Sequence, residues 1–224
     1  MSSALAPKDD RVRFPGVRAP KPLLSPKAER ELSDRQLDLL DALEAQLTAG
    51  GVADLTMAQI AARVNCSLRT LYAIAPRKDE LILVVVDRRL RRIGRAAVET
   101  FDASMLPLDA LRAYLQAANE AVQPEAVALS ADFAKVTGAE QLLSAHEDYL
   151  IAVTQNLLDR AVSERQIPQV DTAAVAHVLG GLGREFARPE LAETMRTSPK
   201  ATADAITDLL LAGLRAGSRP DEVC

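Results

Sequence analysis

Between Thr56 and Pro76 the chain has room for two helices of about two turns each, joined by almost nothing. Thr56 followed by Gln59 has capping-box spacing: the hydroxyl accepts an orphan helix amide while the Gln side chain reaches back to the cap. Met57, Ile60, Ala61 and Val64 then recur on one apolar stripe. Val64-Asn65-Cys66 leaves space only for a tight turn, and Asn65 tolerates the left-handed backbone that such a turn needs. Ser67 can cap the next helix, Leu68 to Ile74, which Pro76 cannot continue in any regular way. Ala61 and Ala62 let the two helices approach closely. This is the pattern of a helix-turn-helix; a generic corner between two helices is the plainer alternative.

The rest of the chain also reads as helix. Ser33 with Gln36 is another capping box, followed by Leu37, Leu40, Leu43 and Leu47 at helical spacing and closed by Gly50-Gly51. A longer helix starts near Lys78, with Asp79 and Glu80 in the first turn where the helix dipole favours them, and runs to about Phe101. Further helices are expected over 108–122, about 125–137, 139–166, from 172 onward, and over 200–216. Aromatics are 3% of the 224 residues and Trp is absent, so the core rests on Leu, Val, Ile and Ala, which suits helices better than sheets. The fold class expected is all-α.

Other classes drop out early. Apolar runs such as Leu81 to Val86 are about a third of the roughly 18 residues that a membrane span needs. The opening MSSALAPKDDR lacks the apolar stretch of a secretory signal. Cys66 and Cys224 are too few for a disulfide framework, and a reducing cytoplasm with free thiols is the expectation.

The net charge of −4 conceals an asymmetry. Residues 1–95 hold 17 Lys+Arg and 12 Asp+Glu; residues 96–224 hold 10 and 19. A basic front and an acidic rear suit a nucleic-acid module joined to something else; scatter of surface charge is the plainer alternative. Residues 1–31 carry five of the twelve prolines and no periodicity, and read as a disordered basic tail. It is either a solvated linker or an arm that reaches phosphates or a minor groove. The run Arg88, Arg89, Arg91, Arg92 and Arg95 reads as a solvated face, as partners for the acidic rear, or as a polar hinge.

The segment after the turn carries the chemistry. Arg69 can donate two hydrogen bonds to guanine O6 and N7 in a major groove. Thr70 can meet a base edge or a thymine methyl. Tyr72 can donate to a phosphate oxygen, and Lys78 opens the next helix beside amides that also point at phosphate.

Residues 32–85 resemble the DNA-binding domain of the TetR family of bacterial transcriptional regulators. The stretch LTMAQIAARVNCSLRTLYAIAPRKDELILVVV is similar to the family pattern of Thr, Ile-Ala, a turn, then Ser-x-Gly-Thr-Leu-Tyr-x-His-Phe-x-x-Lys-x-x-Leu. Thr56, Ile60, Ala61, Ser67, Thr70, Leu71, Tyr72, Lys78 and Leu81 match it. The resemblance implies DNA contacts by Thr56, Leu68, Tyr72 and Lys78. Asn65 stands for the usual turn glycine, and Cys66 for an apolar residue. Arg69 stands where glycine is frequent, which adds a long reader. Ile74 and Ala75 replace a His-Phe pair and lose a phosphate donor, for which Arg77 is a candidate substitute. The DNA-binding set is thus Thr56, Ser67, Leu68, Arg69, Thr70, Tyr72, Arg77 and Lys78.

The same resemblance implies a three-helix, homeodomain-like helix-turn-helix domain over 32–80 and a helical effector-binding and dimerisation domain over 81–217, with 218–224 a flexible end. A helix over 200–216 that is apolar nearly all round needs a cover beyond its own domain, and a two-fold dimer is the simplest one. Ala174, Val178 and Leu182 with Ile206, Leu210 and Leu214 are the candidate interface. Gly180, Gly181 and Gly183 point to a close helix crossing, with a local break as the alternative. Tyr114, Asn119, Phe133, His146, Tyr149, Asn156 and Arg184 interrupt apolar stripes and are candidate effector contacts. His146, Glu147 and His177 could be stretched into a metal site, but no spacing demands one. With no phosphate loop and no convergent acid, base and nucleophile, no catalysis and no cofactor are expected. The function expected is a dimeric repressor on a pseudo-palindromic operator in double-stranded DNA, released by a small-molecule effector. The alternative is a small-molecule-binding helical protein or enzyme whose first domain does not bind DNA.

Overall fold

The structure, a computed structural model, describes residues 14–102, 104–122, 133–192 and 194–217. Among these residues every regular element is helical: α1 (Pro26–Glu31), α2 (Asp34–Ala49), α3 (Met57–Arg63), α4 (Leu68–Ile74), α5 (Lys78–Glu99), α6 (Pro107–Ala118), α7 (Ala139–Ser163), α8 (Thr172–Phe186), the single turn α9 (Pro189–Ala192) and α10 (Pro199–Ala216). The caps read from sequence are made. Ser33 and Gln36 exchange both bonds of a capping box at the head of α2, and Thr56 and Gln59 do the same for α3. Ser67, Asp171 and Ser198 cap α4, α8 and α10 through their side chains.

Two apolar cores result. The front core gathers Leu40, Leu43 and Leu47 of α2, Ile60 of α3, Leu71 of α4, and Leu81, Ile82 and Val85 of α5. The rear core gathers Leu108, Leu111 and Leu115 of α6, Val153, Leu157 and Leu158 of α7, Leu179 of α8 and Leu211 of α10. α5 serves both, for its first half lies in the front core and Ala97 lies in the rear one. The front core therefore does not stop at residue 80. It also takes in Phe133, Val136, Ala139 and Leu142, so that the approach to α7 leans on the front domain. Lys135 Nζ meets Asp54 Oδ2 at 2.8 Å there, and Asp79 Oδ2 accepts the Thr137 amide at 3.2 Å.

Three expectations are corrected. Residues 14–31 are not a disordered tail: Ser25 caps α1, and residues 14–24 run as a strap beside α5. Their order comes from tertiary contacts, which leave no periodic trace in sequence. Residues 1–13 and 218–224 lie outside the described residues. The helix expected over about 125–137 falls largely outside them too, and residues 134–138 form turns rather than helix. Finally, the arginine run is a solvated face only in part, with Arg92 and Arg95 exposed and Arg88, Arg89 and Arg91 half-buried, and its ion pairs among the described residues are not to the acidic rear domain. Arg88 pairs with Asp41, while Arg89 and Arg92 share Glu44 at 3.2 and 2.5 Å, all on α2. A buried carboxylate such as Glu44, 9% exposed, is tolerable only with partners of this kind.

Candidate nucleic-acid interface

α3 and α4 are joined as the turn chemistry requires. Asn65 takes the left-handed region at φ 50°, and the Cys66 amide closes the turn on the Ala61 carbonyl at 2.9 Å. Cys66 packs partly buried on the front core, and burial pushes its thiol up. α4 then divides cleanly by face. Leu71 and Ile74 are buried, whereas Leu68 at 41% and Tyr72 at 53% are exposed large side chains. Arg69 is exposed beside them, with no ion pair or hydrogen bond among the described residues. An outward leucine, guanidinium and phenol on one short helix is an arrangement that a folded core does not ask for.

The charges in this half of the protein are sorted. Arg88, Arg89, Arg91 and Arg92 of α5 are matched by Asp41, Glu44 and Asp87, while Arg95 further along is exposed. Arg35, Arg63 and Arg69, on α2, α3 and α4, are exposed and unmatched among the described residues. Arg63 and Arg69 thus put uncompensated guanidinium groups on the two helices of the helix-turn-helix itself.

The expected contact residues are mostly where such a surface needs them. Thr56, Ser67 and Arg77 are exposed and Thr70 is half-buried. Thr70 Oγ1 lies 2.8 Å from the Ser67 hydroxyl, and Ser67 also accepts the Thr70 amide at 3.1 Å, so these two hydroxyls are engaged in the cap. Lys78 is the exception. Its Nζ turns back to donate to the Ala53 carbonyl, so its ammonium ties the loop before α3 to α5 instead of pointing outward. Ile74 and Ala75 are buried in the turn into α5.

Of the residues expected around an effector, Tyr114 and Tyr149 share the rear core, and Asn119, Phe133, His146 and Arg184 are engaged elsewhere. Tyr114 is buried in the rear core and stacks on Phe101 at 5.5 Å; burial pushes its hydroxyl far up. Asn119 donates to Asp204 at 2.8 Å. Phe133 belongs to the front core, and His146 donates to Asp87 of α5 at 3.0 Å. Tyr149 is half-buried against the rear core, where burial raises its pKa. Arg184 is exposed and bridges Glu140 at 2.5 Å and Glu147 at 2.9 Å. Polar residues on helices were legible in sequence, but the face each one presents was not. The residues that sequence reading missed are Thr154 and Thr207. Both are almost fully buried, and among the described residues their hydroxyls, like the side-chain amide oxygen of Asn156, have no hydrogen-bond partner. Among the described residues no group of three metal-ligating side chains forms, and no helix is long and apolar enough to cross a membrane.

On the outer face of the rear domain, α8 and α10 lie side by side. Val178 is 55% exposed and Leu209 is 72% exposed, with Ala174, Ala205 and Ala212 exposed around them. Leu182, Leu210 and Leu214 are partly buried against their own core, and Ile206 is half-buried. Leu209 is thus the most exposed apolar residue of α10, beside the partly buried Ile206–Leu210–Leu214 stripe. A helix apolar all round gives no phase from which to choose.

No family model matches the sequence, and no curated protein matches it. Solved structures do match. A TetR transcription regulator from Haloarcula marismortui superposes with a TM-score of 0.69 at 17% identity, over 82% of this chain and 99% of the other. A TetR-like transcriptional regulator from a Rhodococcus species gives 0.59 at 22% identity, over 80% and 96%. A TetR-family regulator from Thermus thermophilus gives 0.58 at 20% identity, over 79% and 98%. The chain has the TetR-family fold. In the terms of that fold, α2 to α4 with the start of α5 form the helix-turn-helix domain, and the helices from α6 onward form the second, helical domain.

Proposed function

We propose that this protein is a sequence-specific, DNA-binding transcriptional regulator, a dimeric repressor released from a pseudo-palindromic operator by a small-molecule effector. The observation that carries the reading is α4: Leu68, Arg69 and Tyr72 stand outward on a helix whose other face, Leu71 and Ile74, is fully in the core. The fold shared with transcriptional regulators points the same way. Thr56, Ser67, Thr70 and Arg77 would border that face, Lys78 braces it from behind, and Arg35 and Arg63, exposed and without an ion pair among the described residues, add positive charge nearby. Phosphate contacts would position α4 in a major groove, and Arg69 would read a base pair.

The dimer would close through the exposed faces of α8 and α10 around Val178 and Leu209, and so set the two recognition helices on half-sites a whole number of turns apart. The effector would lie in the rear core, where the Thr154 and Thr207 hydroxyls lack partners among the described residues. Its role would be to favour a spacing of the two heads that the operator does not match. The role is binding, not catalysis.

Selection of bound duplexes from random DNA, followed by gel retardation across a salt series, tests this reading. A palindromic consensus, with retention that weakens steeply with salt, is expected. Retention without any sequence preference, or none at low salt, overturns it.

A further inference from the structure

Asp87 sits midway along α5 with 3% of its surface exposed. A buried carboxylate left unmatched is strongly destabilising, so its partners are informative. Oδ2 accepts the backbone amide of Leu23, in the strap, at 3.0 Å. Oδ1 accepts from His146 Nε2, on α7, also at 3.0 Å. Arg91, one turn along α5, lies 3.9 Å from the same carboxylate and donates to the Pro20 carbonyl at 2.9 Å. One side chain therefore holds three elements that are far apart in sequence. The strap it grips spans both cores: Phe14 and Val17 pack on the rear core, with the Phe14 ring edge-on to Phe101 at 5.4 Å, and Leu24 packs on the front core.

The place of this clamp matters. Beyond Asp87 no residue of α5 is buried until Ala97. Asp87 is thus the last fully buried residue in the first half of α5, and beyond it only half-buried Leu90 still packs on the front core before the helix passes to the rear one. Ties from the side at this point add to those that Lys135 and Thr137 make with Asp54 and Asp79 in holding the front domain at one angle.

We propose that Asp87 is a positioning residue for operator binding: by clamping the strap and α7 to α5 it fixes the angle at which the rear domain carries the helix-turn-helix. This rests on the reading of the protein as a two-headed DNA binder. In such a protein the first head binds by its own groove contacts. The second binds at an effective concentration set by geometry, which falls as the two heads become free to wander. Loosening the clamp leaves the contacts of each head intact and weakens only their joint engagement.

The test uses the full chain and two probes: the duplex selected by the wild type, and the same duplex with one arm scrambled. Asp87→Ala and Asp87→Asn remove the charge, and Phe14→Ala releases the far end of the strap without touching the front core. Loss of about tenfold or more on the two-arm duplex, with half-site affinity held within about twofold, is expected for Asp87→Ala, and the same pattern in smaller measure for the other two. Equal losses on both duplexes, or no loss on either, overturn the proposal, because a purely structural residue would alter both through the folded fraction. If Asp87→Ala does not fold, Asp87→Asn and Phe14→Ala carry the same two outcomes. A wild type that selects no duplex overturns the DNA-binding reading itself, and this inference with it.

Discussion

Gly180 of α8 lies so close to Ile151 of α7 that a Cβ at residue 180 would stand 2.6 Å from Ile151 Cγ1. Gly180, Gly181 and Gly183 point in the sequence to a close crossing, and Gly180 makes one. Gly181 would meet only Glu147 Oε1, at 3.9 Å. The prediction is that Gly180→Ala lowers stability by roughly 1–2 kcal/mol, because overpacking outweighs the gain in helix propensity. Gly94 on α5 has nothing within 4 Å, so Gly94→Ala should stabilise by about 1 kcal/mol. Urea unfolding of both variants checks this, and a stabilised Gly180→Ala would refute the crossing.

Readout by α4 separates two kinds of contact. Arg69→Ala should relax the preference at one base pair by about 1–3 kcal/mol, with the rest of the consensus kept. Tyr72→Phe should weaken binding to all duplexes about equally, as loss of a phosphate contact does. A selection experiment on each variant distinguishes them. An unchanged consensus for Arg69→Ala removes it from the reading helix.

Assembly should depend on the two most outward apolar residues of the rear face. Leu209→Glu and Val178→Glu place a charge on residues that are already 72% and 55% exposed, so the monomer fold is spared. In a dimer the same charge would be buried without a partner. Sedimentation should show monomers, and the monomers should lose most of their affinity for the two-arm duplex. A variant that sediments like the wild type places the interface elsewhere.

Cys66 offers a chemical footprint. Burial raises its thiol pKa, with the Arg35 guanidinium pulling weakly the other way. At pH 8 it should hold less thiolate than a free cysteine and alkylate more slowly with iodoacetamide, measured in a Cys224→Ser background. Because Cys66 immediately precedes the cap of α4, the selected duplex should slow the reaction further. A rate equal to that of free cysteine, unaffected by DNA, contradicts both the packing and the docking.

Helices α2 to α5 and α10 were legible to within a residue or two because their signals are local: a capping side chain three residues from its partner, an apolar stripe, Gly50 beyond α2. The turn at Asn65 and the outward face of α4 were legible for the same reason. The strap was not, since Leu23 finds Asp87 across 64 residues and nothing near Leu23 announces it. Nor were the partners of the arginine run, because a charge in sequence does not say which helix will lie beside it.

What the sequence by itself determined is therefore the helical class, the tight reversal between α3 and α4, and the chemistry that α4 can offer. Short-range hydrogen bonding and periodicity fix such features before any long-range contact forms. What only the tertiary structure decided is the sharing of α5 between two cores, the clamp at Asp87, the retreat of Lys78 to the Ala53 carbonyl and the choice of Leu209 as the outermost apolar side chain. Each of these depends on which faces meet, and a helix that could bury any of several faces learns its orientation only from its neighbours.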